Sequence, residues 1–272
     1  MRVVSVVFLS FRIAATLWIA AIGVFAGLQT LDYIKPAPKL EPVAWGISLG
    51  IIGLESIGAI LRDRFERNRA RLKVDLDKAA LVFVLEQLRD PHQGLDLAFE
   101  DLGVSVWVPT LRSRVLGKLR WLPREKYQLK RLNRFRPDDY PQSSGISWTG
   151  SIGSLGKCWT TMKADYHNGY RIAVKWGSVE ITEKAFGDIS AKTRGEFTRE
   201  QFSRIVGKYS EIRAIPIMHS DVNNGSMIGV LTIDRVYDPA QTNFIPRLDR
   251  DSTLRRGVAA ASLVSSTLAS KQ

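Results

Sequence analysis

The sequence predicts an α+β domain preceded by an all-α transmembrane hairpin. Three observations predict this. Two apolar runs of 19 residues lie within residues 1–61, strand-period alternation marks the middle of the chain, and helical stripes flank it on both sides. The expected organisation is a hairpin over 1–61, a basic juxtamembrane and connecting helix over 62–91, and a cytoplasmic domain over 92–272.

The first run, Ile13 to Leu31, carries no charge; the second, Val43 to Leu61, carries one, Glu55. A helix needs about 20 apolar residues to cross the hydrocarbon core. Each run also lacks the polar stripe of a helix buried against a globular core. Asp32 to Pro42 holds three prolines and no net charge, as a short exposed turn would. After Leu61, "RDRFERNRARLK" carries six basic residues and two acidic. Basic flanks stay inside, so both termini are expected on the cytoplasmic side of the inner membrane. The same flank would attract anionic headgroups of the lipid bilayer.

An ionisable residue inside a span is costly and points to function. A hairpin would bring Arg12 and Glu55 to one side of the bilayer. Three readings of Glu55 stay open: an ion pair with Arg12, a pore or oligomer lining, and a protonated carboxyl near the interface. Gly46, Gly50, Gly53 and Gly58 would let helices approach closely.

The connecting helix follows from Leu72, Leu76, Ala79 and Phe83 at 4-3-4 spacing, widened by Ala80, Val84 and Leu88. Asp90-Pro91 stops it. Its stripe either packs on the following domain or pairs with a second copy of the chain.

Strand period then appears in "DLGVSVWVPT", Asp101 to Thr110, with Val104, Val106 and Val108 on one face and Ser105 and Trp107 on the other. "YQLKRLNRFRP" is a second strand. Ser210–His219 and Ser226–Asp234 are two more, joined by the turn chemistry of "DVNNG". Phe197–Tyr209 reads as a helix capped by Thr198 with Gln201 three residues on, and Phe202, Ile205 and Val206 as its apolar face. A last helix begins with Asp251 or Ser252 as cap and presents Leu254, Val258, Ala261 and Leu268. Helices at both ends with mostly antiparallel strands between them give a layered α+β domain.

Composition limits the chemistry. Lys+Arg number 39 against 27 Asp+Glu, a net charge of +12, which suits an anionic partner. One cysteine, Cys158, excludes an internal disulfide and a cysteine-only metal site. Three scattered histidines form no ligand cluster, so no metal is expected. The basic excess concentrates between Arg112 and Arg136, with ten basic residues and one acidic, including Arg112, Arg114, Lys118, Arg120, Arg124, Lys130 and Arg131. This surface suits membrane headgroups first. An anionic ligand or nucleic acid, and plain solvated charge, are the alternatives.

The run "SSGISWTGSIGSLGKCW", Ser143 to Trp159, looks like a phosphate cradle and is not one. Before Gly156-Lys157, Gly150 sits one residue too early for a P-loop, and Cys158 replaces the hydroxyl that would hold magnesium. The glycines read instead as a tight turn before a helix starting near Leu155. An anion at that helix N-terminus is the alternative. No catalytic constellation emerges, and the chain is read as a non-enzyme.

This run, followed by "EFTREQFSRIVGKYSEIRAIPI" and "GSMIGVLTID", resembles a GAF domain over about residues 75–270. The resemblance implies an antiparallel sheet flanked by helices, with the glycine run opening a pocket-covering helix. It implies a small-molecule ligand such as a cyclic nucleotide or tetrapyrrole, or dimerisation alone; no cofactor is specified. Cys158 is the only candidate for pigment attachment, with packing beside Trp159 as its other reading. The pocket lining is expected from Phe135, Trp148, Gly156, Lys157, Cys158, Trp159, Phe202 and Tyr209. The function read from all this is a membrane-anchored, homo-oligomeric signalling or regulatory protein sensing a ligand or partner. The alternatives are a pore-forming effector triggered by an anionic nucleotide, and a dimerisation scaffold that binds no ligand.

Overall fold

The protein is described from a computed structural model covering residues 16–26, 28, 41–89, 97–118, 123–138, 140–219 and 225–269. It divides into two compact units, Met1–Arg71 and Leu72–Gln272.

In the first unit, residues 16–26 form helix α1, and helix α2 (Glu41–Leu88) begins. Leu17, Val24, Leu49, Leu54 and Ile60 are each more than 60% exposed, so apolar side chains face outward. Among the described residues, however, no helix is long and apolar enough to cross a membrane, against the expectation of two. Most of the expected turn over 32–42, the ends of the run over 13–31, and Arg12 lie outside the described residues, and the Arg12–Glu55 pair with them. Glu55 is half-buried. A Cβ at Gly46, Gly50 or Gly53 would have nothing within 4 Å. The basic flank continues α2 without a break and carries the i,i+4 pairs Arg62–Glu66 and Asp63–Arg67. Both pairs are exposed and add little to stability.

In the second unit the same helix buries Leu76, Ala80, Phe83 and Val84 in the main core, with Leu72, Ala79 and Leu88 packed at its edge. The heptad-like stripe therefore serves intradomain packing. The core is a six-stranded antiparallel sheet of order β3-β2-β1-β6-β5-β4. Its strands are β1 (Leu102–Pro109), β2 (Gln128–Phe135), β3 (Trp148–Thr149), β4 (Asp165–Asn168), β5 (Tyr209–Met218) and β6 (Met227–Val236). The hairpin of β5 and β6 forms as expected, while residues 220–224 of its turn lie outside the described residues.

Alternation sorts the strands into two faces. Val104 and Val106 of β1, Leu231 and Ile233 of β6, and Ile215 and Ile217 of β5 face α2 and the closing helix α9 (Asp251–Ala269). α9 buries Thr253, Gly257, Ala260, Ala261, Val264 and Ser265. Val258 is 49% exposed, a correction to the expected stripe, because the tightest approach falls at Gly257, where a Cβ would strike Ile215. A polar bridge joins the two helices of this layer: the buried Gln87 Nε2 donates to Thr253 Oγ1 at 2.7 Å, and Thr253 donates to the Arg247 carbonyl.

The other face carries Gly103, Ser105 and Trp107 of β1, Thr232 and Asp234 of β6, Ile212 and Ala214 of β5, and Asp165 and His167 of β4, all fixed by register. Helix α3 (Leu111–Lys118) follows β1, and over this second face lie α4 (Gly153–Thr161) and four short helices: α5 (Tyr170–Trp176), α6 (Glu183–Asp188), α7 (Ala191–Arg194) and α8 (Arg199–Ile205). Leu155, Cys158 and Trp159 of α4 pack on Trp107, Ala214 and Val230 at one end of this face. Ile181, Ile189 and Phe202 form a separate cluster among the short helices. Thr198 caps α8 in the expected capping box with Gln201. The helix is shorter than expected, and Tyr209 opens β5 instead of closing the helix.

Two buried charge clusters tie strands to loops. Glu211 accepts from the backbone N–H groups of Arg247 and Leu248, at 2.9 Å each, and from Tyr166 Oη at 3.0 Å, with Arg235 at 3.6 Å. Burial still pushes its carboxyl above the usual range, the four partners working the other way. Arg136 of the segment after β2 pairs with Asp234 of β6.

Candidate functional site

A cavity of about 700 Å³ lies between the second sheet face, α4 and the short helices. Its volume is in the range of small-molecule sites, about 300–1,000 Å³. Two glycines set where α4 lies beside it. Gly153 holds a left-handed φ of 60° where α4 begins, so the helix starts there and not near Leu155. A Cβ at Gly156 would lie 2.8 Å from the Thr149 carbonyl oxygen, so only glycine lets α4 sit this close to β3. The glycine run thus shapes a wall. α4 itself has no side-chain cap.

One wall is a chain of aromatic rings. Trp107 meets Trp148 edge-on with centroids 5.6 Å apart, Trp148 meets Phe197 at 5.8 Å, and Phe197 meets Phe202 at 6.5 Å. The floor is polar. Trp107 Nε1 donates to Thr232 Oγ1 at 3.0 Å, and Thr232 Oγ1 donates to the Ser105 carbonyl at 3.4 Å. Beside them, Asp234 pairs through Oδ2 with Arg136 and is 10% exposed at its side chain. Burial pushes its carboxyl up, while Arg136, Arg134 and Arg131 hold it down; the net direction is upward. Tyr209 also lines the cavity, its phenol pushed up to about 12 first by burial and then by Asp234.

On the far side, β4 contributes Asp165 and His167. Asp165 Oδ1 lies 2.5 Å from Lys157 Nζ of α4. His167 is held below the usual imidazole range, chiefly by burial, with Asp165 raising and Lys157 lowering it.

Of the eight expected lining residues, Trp148, Lys157, Phe202 and Tyr209 are brought together here. The other four are not in the lining. Phe135 pairs with Val104 on the opposite sheet face and meets Phe99 edge-on at 6.4 Å. Gly156 is closed off by the β3 backbone. Cys158 is fully buried, with burial pushing its thiol up to about 12, which removes it as a nucleophile or pigment anchor. Trp159 packs against Tyr127 at 5.5 Å, under Arg124. Sequence reasoning missed Asp165, His167, Thr232, Asp234 and Phe197. Ser105 and Trp107 were placed on one face, and the matching parity of Thr232 and Asp234 on the next strand was the available signal.

No protein-family model and no curated protein matches this chain. Among solved structures it is similar to one described as "GAF domain region of putative membrane protein from Geobacter sulfurreducens PCA". The TM-score is 0.43 at 10% identity, covering 76% of this chain and 98% of that one.

Among the described residues, the basic run from Arg112 to Arg136 is split between exposed and inward-turned side chains. Arg112 and Lys130 are exposed, and Arg114 is half-buried. Arg124 turns inward and donates to the Trp159 carbonyl at 3.2 Å. Arg131 lies over the Trp107 ring at 5.5 Å, donates to Ser143 Oγ at 3.1 Å, and lines the cavity. Arg120, and the side chain of Lys118, lie outside the described residues. Among the described residues no group of three or more His, Cys, Asp or Glu could hold a metal ion.

Proposed function

We propose that the chain is a membrane-tethered, GAF-like regulatory protein whose second unit senses a small molecule in this cavity. The observation that carries the reading is the cavity itself: an aromatic wall facing a buried polar floor, on a sheet whose other face is an ordinary apolar core. Buried polar groups cost stability unless they have partners, so a polar sheet face under a helical layer suits a ligand. The reading is of a binding module: Cys158 is buried with its thiol pushed up to about 12, and Lys157 is held by Asp165.

The tether is supported by the outward-facing side chains of α2. Val43, Ile47, Leu49, Ile52, Leu54 and Ile57 are each at least 45% exposed over a stretch whose one charge is Glu55. Apolar surface of this kind favours removal from water at about 25 cal/mol per Å². Lipid is the proposed solvent for it, with the basic flank after Leu61 at anionic headgroups on the cytoplasmic side of the inner membrane and self-association in the membrane.

Two measurements on the full-length chain test this. After cell lysis, the protein should sediment with membranes and leave them only with detergent; recovery in the detergent-free supernatant would end the tether. In detergent, a thermal-shift screen of small aromatic metabolites should find a stabilising compound, since a ligand at 100 times its Kd adds about 2.7 kcal/mol. A wholly silent screen would favour the scaffold reading.

A further inference from the structure

The overall charge of +12 points toward anionic ligands, and the cavity does not. Its charged lining comprises four carboxylates, Glu125, Asp165, Glu196 and Asp234, against Arg131 and Lys157. Both cations are already engaged: Lys157 by Asp165, and Arg131 by Ser143 and the face of Trp107. Arg136 does not line the cavity. An entering phosphate or carboxylate would therefore meet no uncommitted cation in the lining and would pass the exposed Glu125 and Glu196.

The opposite holds for a donor. Asp234 Oδ2 is occupied by Arg136, but no described residue donates to Oδ1. The side chain is nine-tenths buried and lines the cavity. A ligand in the cavity can supply that oxygen with a donor. The neighbouring polar atoms cannot, because Trp107 Nε1 is used by Thr232 and Thr232 Oγ1 by the Ser105 carbonyl. The same cavity is lined by the edge-on rings of Trp107 and Trp148, and aromatic faces attract both flat apolar groups and cations.

We propose that the cavity takes a flat aromatic molecule bearing an amino, amide or amidinium group, with that N–H on Asp234 Oδ1 and its ring among Trp107, Trp148, Phe197 and Phe202. Phosphorylated and carboxylated aromatics are excluded by the same lining. The proposal rests on the reading of the cavity as a sensing site and specifies what it senses.

Three molecules of one shape test it: 2-naphthamidine, 2-naphthamide and 2-naphthoate. Each is titrated calorimetrically into the full-length chain in detergent, and the difference between wild type and variant removes what partitions into micelles. The amidine should bind most tightly, the amide next, and the naphthoate at least about tenfold more weakly than the amidine. Asp234→Asn should cut amidine affinity by about tenfold or more while affecting the amide less. Because Asp234 also pairs with Arg136, a second variant keeps the test independent of folding at that pair. Glu125→Gln with Glu196→Gln, both at exposed positions, should narrow the amidine-to-naphthoate ratio severalfold. Naphthoate binding as tightly as the amidine, or an unchanged ratio in the double variant, overturns the ligand class and leaves a ligand-sensing cavity standing. Failure of all three compounds to bind also overturns it, and joined to a silent thermal-shift screen it removes the sensing role as well.

Discussion

The two faces of the central sheet are made from the same strands, one residue apart, and do different work. On β6, Leu231 and Ile233 are fully or almost fully buried against helices, while Thr232 and Asp234 between and after them face a cavity. On β1, Val104 and Val106 join the first group and Ser105 and Trp107 the second. In an antiparallel sheet with one wet face, the second set would simply be solvated. Here it is covered by α4 and the short helices and still polar. The lesson is that a strand can be buried on both faces and divide them unequally: one face is all apolar core, while the other joins a smaller apolar cluster to polar groups enclosed around a cavity.

That contrast makes quantitative expectations, largest first. Phe83→Ala, under the apolar face, should cost about 3–5 kcal/mol by chemical denaturation and leave ligand affinity unchanged. A cost below about 1 kcal/mol would mean that α2 is not part of this core. Ile233→Ala should cost about 2–5 kcal/mol, and its neighbour Thr232→Val less, about 1–3 kcal/mol, because the second leaves Trp107 Nε1 without its acceptor and opens no void. Equal costs would erase the distinction between the faces. Thr198→Ala should cost about 1 kcal/mol through the lost cap of α8, read as a lower denaturant midpoint with unchanged slope.

The smallest effect is in pH. His167 has a folded pKa below its unfolded value of about 6.5. The folded state then binds fewer protons, so His167 contributes stability that is present above about pH 6.5 and lost as pH falls toward its folded pKa. The buried carboxyls of Glu211 and Asp234, raised in the fold, act with the opposite sign. Between about pH 5 and 7, stability should therefore rise less with pH in His167→Gln than in wild type. An identical slope would place the imidazole in water.

Much of this architecture was readable from residue order. β1, β2, the β5–β6 hairpin, the capping box at Thr198 and the stripe from Leu72 to Leu88 follow from period and cap chemistry, which are local. The site was half readable. Trp148, Lys157, Phe202 and Tyr209 were found because the glycine run and the α8 stripe pointed to them. Asp165 and His167 were not, because four residues of an edge strand, "DYHN", carry no periodic signal and gain their position only by pairing with β5. Phe135 was misplaced by the irregularity where β2 pairs with Val106 and Trp107 of β1, which shifts the parity of its residues relative to a regular strand. The outward-facing residues of α2 illustrate a further limit: apolar run length suggested two membrane spans, and no described helix meets the length and hydropathy that crossing needs.

The bridge of Gln87 to Thr253 bears on how movement could pass between the helices under the apolar face. Its amide is held on both sides, by the Thr253 hydroxyl at 2.7 Å and by Arg256 at 3.4 Å, within surroundings that offer few other polar atoms. A slide of one helix along the other would strand that amide against hydrocarbon. A swing about Gln87 would keep it satisfied, so the contact at the end of α2 and the start of α9 would permit pivoting and penalise sliding.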